Sequence, residues 1–493
     1  MREYSPKRRT ALVFTGSGST GAYHAGVLKA IDESGVKIDL VVGSGVGALA
    51  AAFASVAGGA KLYGPDGFWN ELEWSSLYRM RTALRVAFVL LGAALVVFAL
   101  PLLLAVLAGL LFPLALIVDL VAPGAPARLL ASVGGAPLLL RAPYLAALAA
   151  PVFALSVAAF AAAARVGFGE RRRAGELFEA VLDPSVGLAR LRTSLWEVAR
   201  GNALSGSAPS AVELSRKHVA LLLENLGQPG FRELIVRTCD METGRPLPFA
   251  LLQEPARLRF AAARAKDRSK PDAPPEAIDL RGAEHAALLF DAVATGLLPP
   301  IILPPLRVGF PRGGPFPGET HRLSDASLVG GSGLREALDA GAEQVILVSG
   351  SPEQAGLRQR RRGPRALADA AVAALERQAL EADLDAALRV NRMVQTLGHQ
   401  KDDGSRAWQD PETGREHREF ALYVVRPSAR ALGPLELDGA LDPATEVLQT
   451  LDDLVEQGYR DAYRLFVEPV IGGAAPEPAT LSGDVEATQP VSL

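Results

Sequence analysis

The chain has 493 residues, 49% of them apolar and 21% charged. Its length exceeds one ordinary domain, and its apolar content excludes a chain disordered throughout. Lys and Arg number 51 against 54 Asp and Glu, a net charge of −3, which gives no chain-wide footprint for nucleic acid. The single cysteine, Cys239, excludes an intramolecular disulfide framework and a multi-cysteine zinc site. The six histidines are scattered with no pair at ligand spacing, so no metal is expected. No cofactor motif is present.

Met1–Thr10 is basic, but the apolar run after it is short and broken by Gly16, Gly18 and Gly21, so it is not a signal peptide. The pattern predicts a strand at Ala11–Thr15, a glycine loop, a helix over Ala22–Ser34 and a second strand at Ile38–Val42. Strand, tight loop, helix, strand is the α/β pattern with a parallel sheet. From Val86 to Val118 there is no charge across 33 positions, and Ala142–Ala164 is a second uncharged run. A hydrocarbon core of ~30 Å needs ~20 apolar residues as a helix, so both runs are expected to form an inserted transmembrane hairpin. Pro101 leaves open one span or two half-spans in the first run. Arg79, Arg81 and Arg85 precede the pair and Arg165 and Arg171–Arg173 follow it, which puts both flanks in the cytoplasm.

Further on, Arg232–Cys239, Gln344–Ser349 and Ala421–Val425 read as strands. Residues 264–280 read as a loop and Leu334–Ala340 as a helix. Pro364–Leu397 reads as a long amphipathic helix or helix pair, preceded by a basic cluster at Arg358–Arg365 that could meet anionic lipid. Asp442-Pro443 is read as the cap of a helix running to about Phe466. The expected organisation is 1–81 and 171–350 as two parts of one α/β domain, 82–170 as the hairpin, 351–471 as a helical extension with a late strand, and 472–493 as a disordered tail.

Two glycine motifs carry the chemistry. Gly16-Ser17-Gly18-Ser19-Thr20-Gly21 lies between a strand and a helix, where backbone amides converge on an anion. A dinucleotide site would need an acidic residue at the end of the second strand, where Val41-Val42-Gly43 stands instead. The competing reading is an oxyanion hole for acyl transfer. Val42-Gly43-Ser44-Gly45-Val46-Gly47-Ala48 has the shape of a nucleophile elbow. Gly43 and Gly47 place the nucleophile at position 45, which is glycine.

These motifs, with Ala25-Gly26-Val27-Leu28, Thr238–Gly244, Ala292–Pro305 and Ser324-Asp325-Ala326-Ser327, resemble the patatin-like phospholipase family. The resemblance covers roughly 1–60 and 230–350, with an echo at 421–466. It implies a three-layer α/β fold with a mostly parallel sheet and a Ser–Asp dyad that hydrolyses a lipid acyl ester. Asp325 would be the base, and the amides of Gly16, Ser17, Gly18, Ser19 and Gly21 would hold the oxyanion. The pattern breaks at the chemistry: Gly45 has no nucleophile, Thr20 stands where the family has a basic residue, and Ala326-Ser327 follows the aspartate. Ser44 is the substitute nucleophile considered first, although Val42 and Val46 occupy the ±2 positions where an elbow needs glycine; Ser17 and Ser19 are weaker candidates. Cys239 reads as a small core residue, and Asp240 and Glu242 fit a turn. Expected partners are a phospholipid or lysophospholipid and the bilayer, without nucleic acid; nothing identifies a protein partner. The expected location is the inner cell membrane, with the α/β domain on the cytoplasmic side. Two functions compete: a hydrolase with a non-standard nucleophile, and a pseudoenzyme that binds lipid or scaffolds at the membrane. A transport role is disfavoured by the lack of charge inside the apolar runs.

Overall fold

The computed structural model describes residues 4–126 except 71, residue 128, and residues 151–161, 182–201, 206–265, 277–299, 303–327, 331–353, 364–401, 405–411, 416–428, 432–441 and 447–466. It divides into two compact units, Met1–Leu77 with Pro184–Leu493, and Tyr78–Asp183.

The larger unit is built on strand β1 (Thr10–Gly16), helix α1 (Thr20–Ser34), strand β2 (Leu40–Gly45) and helix α2 (Gly47–Ala54). The smaller unit holds α3 (Thr82–Val121). The larger unit continues with α4 (Ser185–Arg200), α5 (Ala211–Asn225), β3 (Glu233–Asp240), β4 (Arg245–Leu251), α6 (Ala256–Ala265), β5 (Ile278–Asp279), α7 (Leu289–Ala294), β6 (Leu306–Gly309) and β7 (Thr320–Asp325). It ends with α8 (Leu334–Asp339), β8 (Gln344–Ser349), α9 (Pro364–Leu397), β9 (Ala421–Val425) and α10 (Leu451–Phe466).

One sheet runs in the order β9-β8-β1-β2-β3-β4-β5, and β7 pairs with both β3 and β6. The pairs β9-β8, β8-β1, β1-β2 and β2-β3 are parallel. Strand β3 pairs antiparallel with β4 and β7. The central strands are apolar at consecutive positions because helices cover both faces. Ala11, Val13, Leu40, Val42, Val345 and Leu347 point to the face closed by Leu334 of α8 and by Leu380 and Leu384 of α9. The expected mostly parallel α/β sheet is therefore present, and Pro364–Leu397 is one unbroken helix.

The expected transmembrane hairpin is corrected. Among the described residues, no helix is long and apolar enough to cross a membrane. The first apolar run lies within α3, a single helix of 40 residues that passes through Pro101 and Pro113. At 1.5 Å per residue it is ~60 Å long, twice a ~30 Å hydrocarbon core, so it matches neither one span nor two half-spans turning at Pro101. Of the second run, residues 151–161 are helical and the rest lies outside the described residues. The expected helix from Asp442 is also corrected: α10 begins at Leu451. Thr450 caps it, its Oγ1 accepting from Asp453 N–H at 3.4 Å while Asp453 Oδ2 accepts from Thr450 N–H at 2.7 Å. Residues 442–446, most of the arginine cluster before α9 and the tail after Phe466 lie outside the described residues.

Helix α10 lies on α1 at backbone distance. A Cβ on Gly458 would meet the carbonyl of Tyr23, and one on Gly26 would meet that of Val455. Tyr23 Oη donates to Asp461 across this seam at 3.0 Å. A Gly458→Leu variant is expected to lose about 1–3 kcal/mol from overpacking. Thermal unfolding reads the loss, and hydrogen exchange is expected to show α10 losing protection first.

Candidate active site

Strand β2 ends at Gly45, one residue past the pairing of Ser44 with Arg237 of β3. From the next residue, Thr238, the same edge of β3 is taken by β7, whose Asp325 pairs with Thr238. One strand stops and an antiparallel one arrives in its place. The last residues of the two, Gly45 and Asp325, are brought together by that exchange.

Gly45 turns the chain with φ +62°. This is the left-handed region, which costs an L-residue roughly 1–2 kcal/mol and glycine little. Val46 N–H, just after the turn, donates to the Gly16 carbonyl at 2.8 Å. The end of β1 and the elbow are thus tied together. A Cβ on Gly45 would meet the Gly16 carbonyl, and it would lie 2.6 Å from Asp325 Oδ1 and 2.8 Å from Ser327 Cβ. The volume of an elbow side chain is therefore occupied.

Asp325 is fully buried. Ser17 Oγ donates to its Oδ2 at 2.7 Å, and Ser327 N–H donates to its Oδ1 at 2.7 Å. The hydroxyls of Ser17 and Ser327 lie 2.6 Å apart. Burial pushes the Asp325 carboxyl up to about 6, against the lowering effect of these hydrogen bonds and of the Arg237 charge. Arg237 is itself buried, paired with Glu336 at 3.3 Å.

The glycine loop opens α1 as expected, but the Ser19 amide is not free for a ligand. Ser19 N–H donates to the Pro434 carbonyl at 2.9 Å, and Ser19 Oγ donates to the Gly433 carbonyl at 2.6 Å. The strap that supplies these carbonyls is held elsewhere too: Leu435 N–H donates to Asp369 of α9 at 2.9 Å, and Asp438 accepts from Trp74 N–H at 2.7 Å. A crevice of about 10 Å³ between the loop and strap, lined by Ser19, Thr20, Tyr23 and Leu432, has room for about one water.

Of the sequence-predicted residues, Asp325, Gly45, Gly16 and Ser17 meet at one point. Ser44 does not join them. Its Oγ is buried and has no hydrogen-bond partner among the described residues. Thr20 spends its hydroxyl on the Ser17 carbonyl at 3.0 Å, a helix-start bond that a basic side chain would not make. Cys239 is a buried free thiol, raised to about 11 chiefly by burial. Asp240 closes the turn from β3 to β4, accepting from Glu242 N–H at 3.0 Å and from Thr243 Oγ1 at 3.0 Å. Sequence reasoning missed Ser327 as a partner of Asp325 and missed the strap altogether. The only trace of the strap was the Gly433-Pro434 dipeptide, a turn signal with no hint of where it docks.

The family model described as Patatin-like phospholipase matches residues 12–178. No curated protein matches the chain. Among solved structures, that of VipD from Legionella pneumophila is similar over 94% of this chain and 67% of its own, at 11% identity and a TM-score of 0.30. A likeness that low carries no argument here.

The titration of Asp325 can be measured. Its folded value of about 6 lies above the ordinary 3.8, so between the two the folded protein holds a proton that the unfolded chain has released. Its contribution to stability therefore falls as pH rises through this window and stays low above it. A shift of this size corresponds to a difference on the order of 3 kcal/mol. Melting wild type and Asp325→Asn across pH 4 to 8 is expected to show the difference in Tm moving in favour of the Asn variant between about pH 4 and about pH 6.

Proposed function

We propose that this chain, a member of the patatin-like phospholipase family, binds the acyl-ester region of a phospholipid or lysophospholipid at its glycine loop and does not hydrolyse it through an elbow nucleophile. The likeness to the patatin-like phospholipase model supports a lipid ester as the substrate class. We place the bilayer-facing work on the cytoplasmic side, where anionic lipid attracts arginine.

One observation carries the second half of the reading. Position 45 holds the elbow's left-handed turn without a side chain, and Gly16, Asp325 and Ser327 fill the space a side chain would need. Hydrolysis of this type needs an oxygen nucleophile against its base and amide donors aimed at the developing oxyanion. The base and the loop are present, and the elbow oxygen is not.

Rebuilding the elbow by a single substitution should therefore fail. A Gly45→Ser variant is expected to melt lower than wild type, because the Gly16 carbonyl is backbone and cannot swing aside. Its hydrolysis of a fluorogenic lysophospholipid is expected to equal that of wild type. Flotation with phosphatidylcholine vesicles doped with lysophospholipid is expected to carry the wild-type chain to the lipid layer. A gain of hydrolysis in Gly45→Ser, or wild type remaining in the aqueous layer, would count against the reading.

A further inference from the structure

We propose that the site keeps a nucleophile at a different place: Ser17, in the glycine loop, takes the acyl group, with Asp325 as its base. This rests on the lipid-ester reading above and names the reacting atom within that site.

The geometry separates Ser17 from Ser19 and Ser44. Its Oγ donates to Asp325 Oδ2 at 2.7 Å, which is the arrangement of a nucleophile on its base. The other carboxylate oxygen is fixed by Ser327 N–H at 2.7 Å, so Oδ2 stays turned towards Ser17. Ser327 Oγ, 2.6 Å from Ser17 Oγ, completes the chain of hydroxyls. Ser44 Oγ has no such partner, and Ser19 Oγ is committed to the Gly433 carbonyl. The absence of a side chain at position 45 is part of the arrangement. Asp325 Oδ1 lies 2.6 Å from where a Cβ would stand, so a serine there would contend for the same carboxylate. A carboxyl held near 6 by burial is ionised at neutral pH yet close enough to it to accept a proton and return it.

The strap marks where the substrate goes. Pro434 already places a carbonyl oxygen on Ser19 N–H, two residues from Ser17. The substrate carbonyl takes that position when the strap lifts. Ser17 Oγ then attacks the acyl carbon and its proton passes to Asp325 Oδ2. The bond from the acyl carbon to the alcohol oxygen breaks, and the Asp325 proton goes to that oxygen. The acyl group stays on Ser17 as an ester. Water attacks it, gives a proton to Asp325, and the fatty acid leaves as the Ser17 oxygen takes the proton back. With the strap down, Ser17 is fully buried, so the rate is set by the open fraction.

The test is covalent labelling of the full chain with an alkyl fluorophosphonate, which forms an O–P bond and expels fluoride. Mass spectrometry of the peptides Thr10–Lys29, Ile38–Lys61 and Leu323–Arg335 locates the adduct. The expected site is Ser17. Leu435→Ala, which loosens a buried anchor of the strap, is expected to label about tenfold faster, as the open fraction rises. Asp325→Asn is expected to label about 100-fold slower or less, the loss of a general base. Wild-type labelling is expected to rise as pH passes about 6. An adduct on Ser19, Ser44 or Ser327, an unchanged rate in Asp325→Asn, or no adduct in either wild type or Leu435→Ala would overturn the assignment. Vesicle flotation separates the two readings: no adduct with intact lipid binding removes Ser17 alone, and an adduct on Ser17 without lipid binding removes the lipid-ester reading alone.

Discussion

The hydrogen bond from Val46 N–H to the Gly16 carbonyl is the constraint on which the rest of the site depends. It ties the turn that ends β1 to the turn that ends β2, as the last bond of their parallel ladder. Both turns then launch helices in the same direction, α1 and α2, and their first residues lie side by side. The glycine loop cannot shift without moving the elbow. That is why the packing around Gly45 has no slack: the carbonyl that would have to move for a side chain is the one holding the two turns together.

Against this frame the acidic end of β7 is set by pairing alone. Asp325 arrives opposite Thr238 because β7 fills the edge of β3 that β2 has vacated. Behind it, Arg237 pairs with Glu336, which also meets Arg264 at 3.2 Å. Glu336 is pulled below the ordinary carboxylate range: burial raises it, and the two guanidinium groups together with backbone and side-chain hydrogen bonds outweigh that. The buried arginine thus has its charge answered by Glu336, and its lowering effect on Asp325 is smaller than that of burial. The result is a carboxyl raised rather than pinned low, although a cation lies nearby.

Much of this was legible in the sequence, and the limit is physical. Gly43, Gly47 and the spaced glycines at 16, 18 and 21 mark turns because only small residues fit there, so both loops could be placed by spacing alone. Asp325 could be placed by its resemblance to a family pattern. What Asp325 touches could not, because Ser17 lies 308 positions away and the contact exists only once β7 replaces β2. The apolar run from Val86 to Val118 illustrates the opposite error. The absence of charge was read as a membrane span, yet no described helix is long and apolar enough to cross one, and the helix continues through the prolines at 101 and 113. Asp442-Pro443 was a sound capping signal in isolation, yet the helix starts at Leu451, capped by Thr450, where a reciprocal pair with Asp453 competes better.

The C-terminal part of the chain is not an appendage to the site. Strand β9 adds to the edge of the sheet beside β8, the strap at 432–438 crosses the glycine loop, and α10 lies on α1. These three contacts all fall on elements formed by the first third of the larger unit or on the sheet built around them. A loop amide that binds a backbone carbonyl of its own chain has the same geometry and chemistry it would use for an ester carbonyl. On the proposed reading, the strap and a lipid ester are exclusive occupants of one position, and the affinity of the site for lipid would be its intrinsic affinity reduced by the fraction of time the strap is down. Every group that holds the strap, from Asp369 on α9 to the backbone of Trp74, would on that reading act on lipid binding without touching lipid.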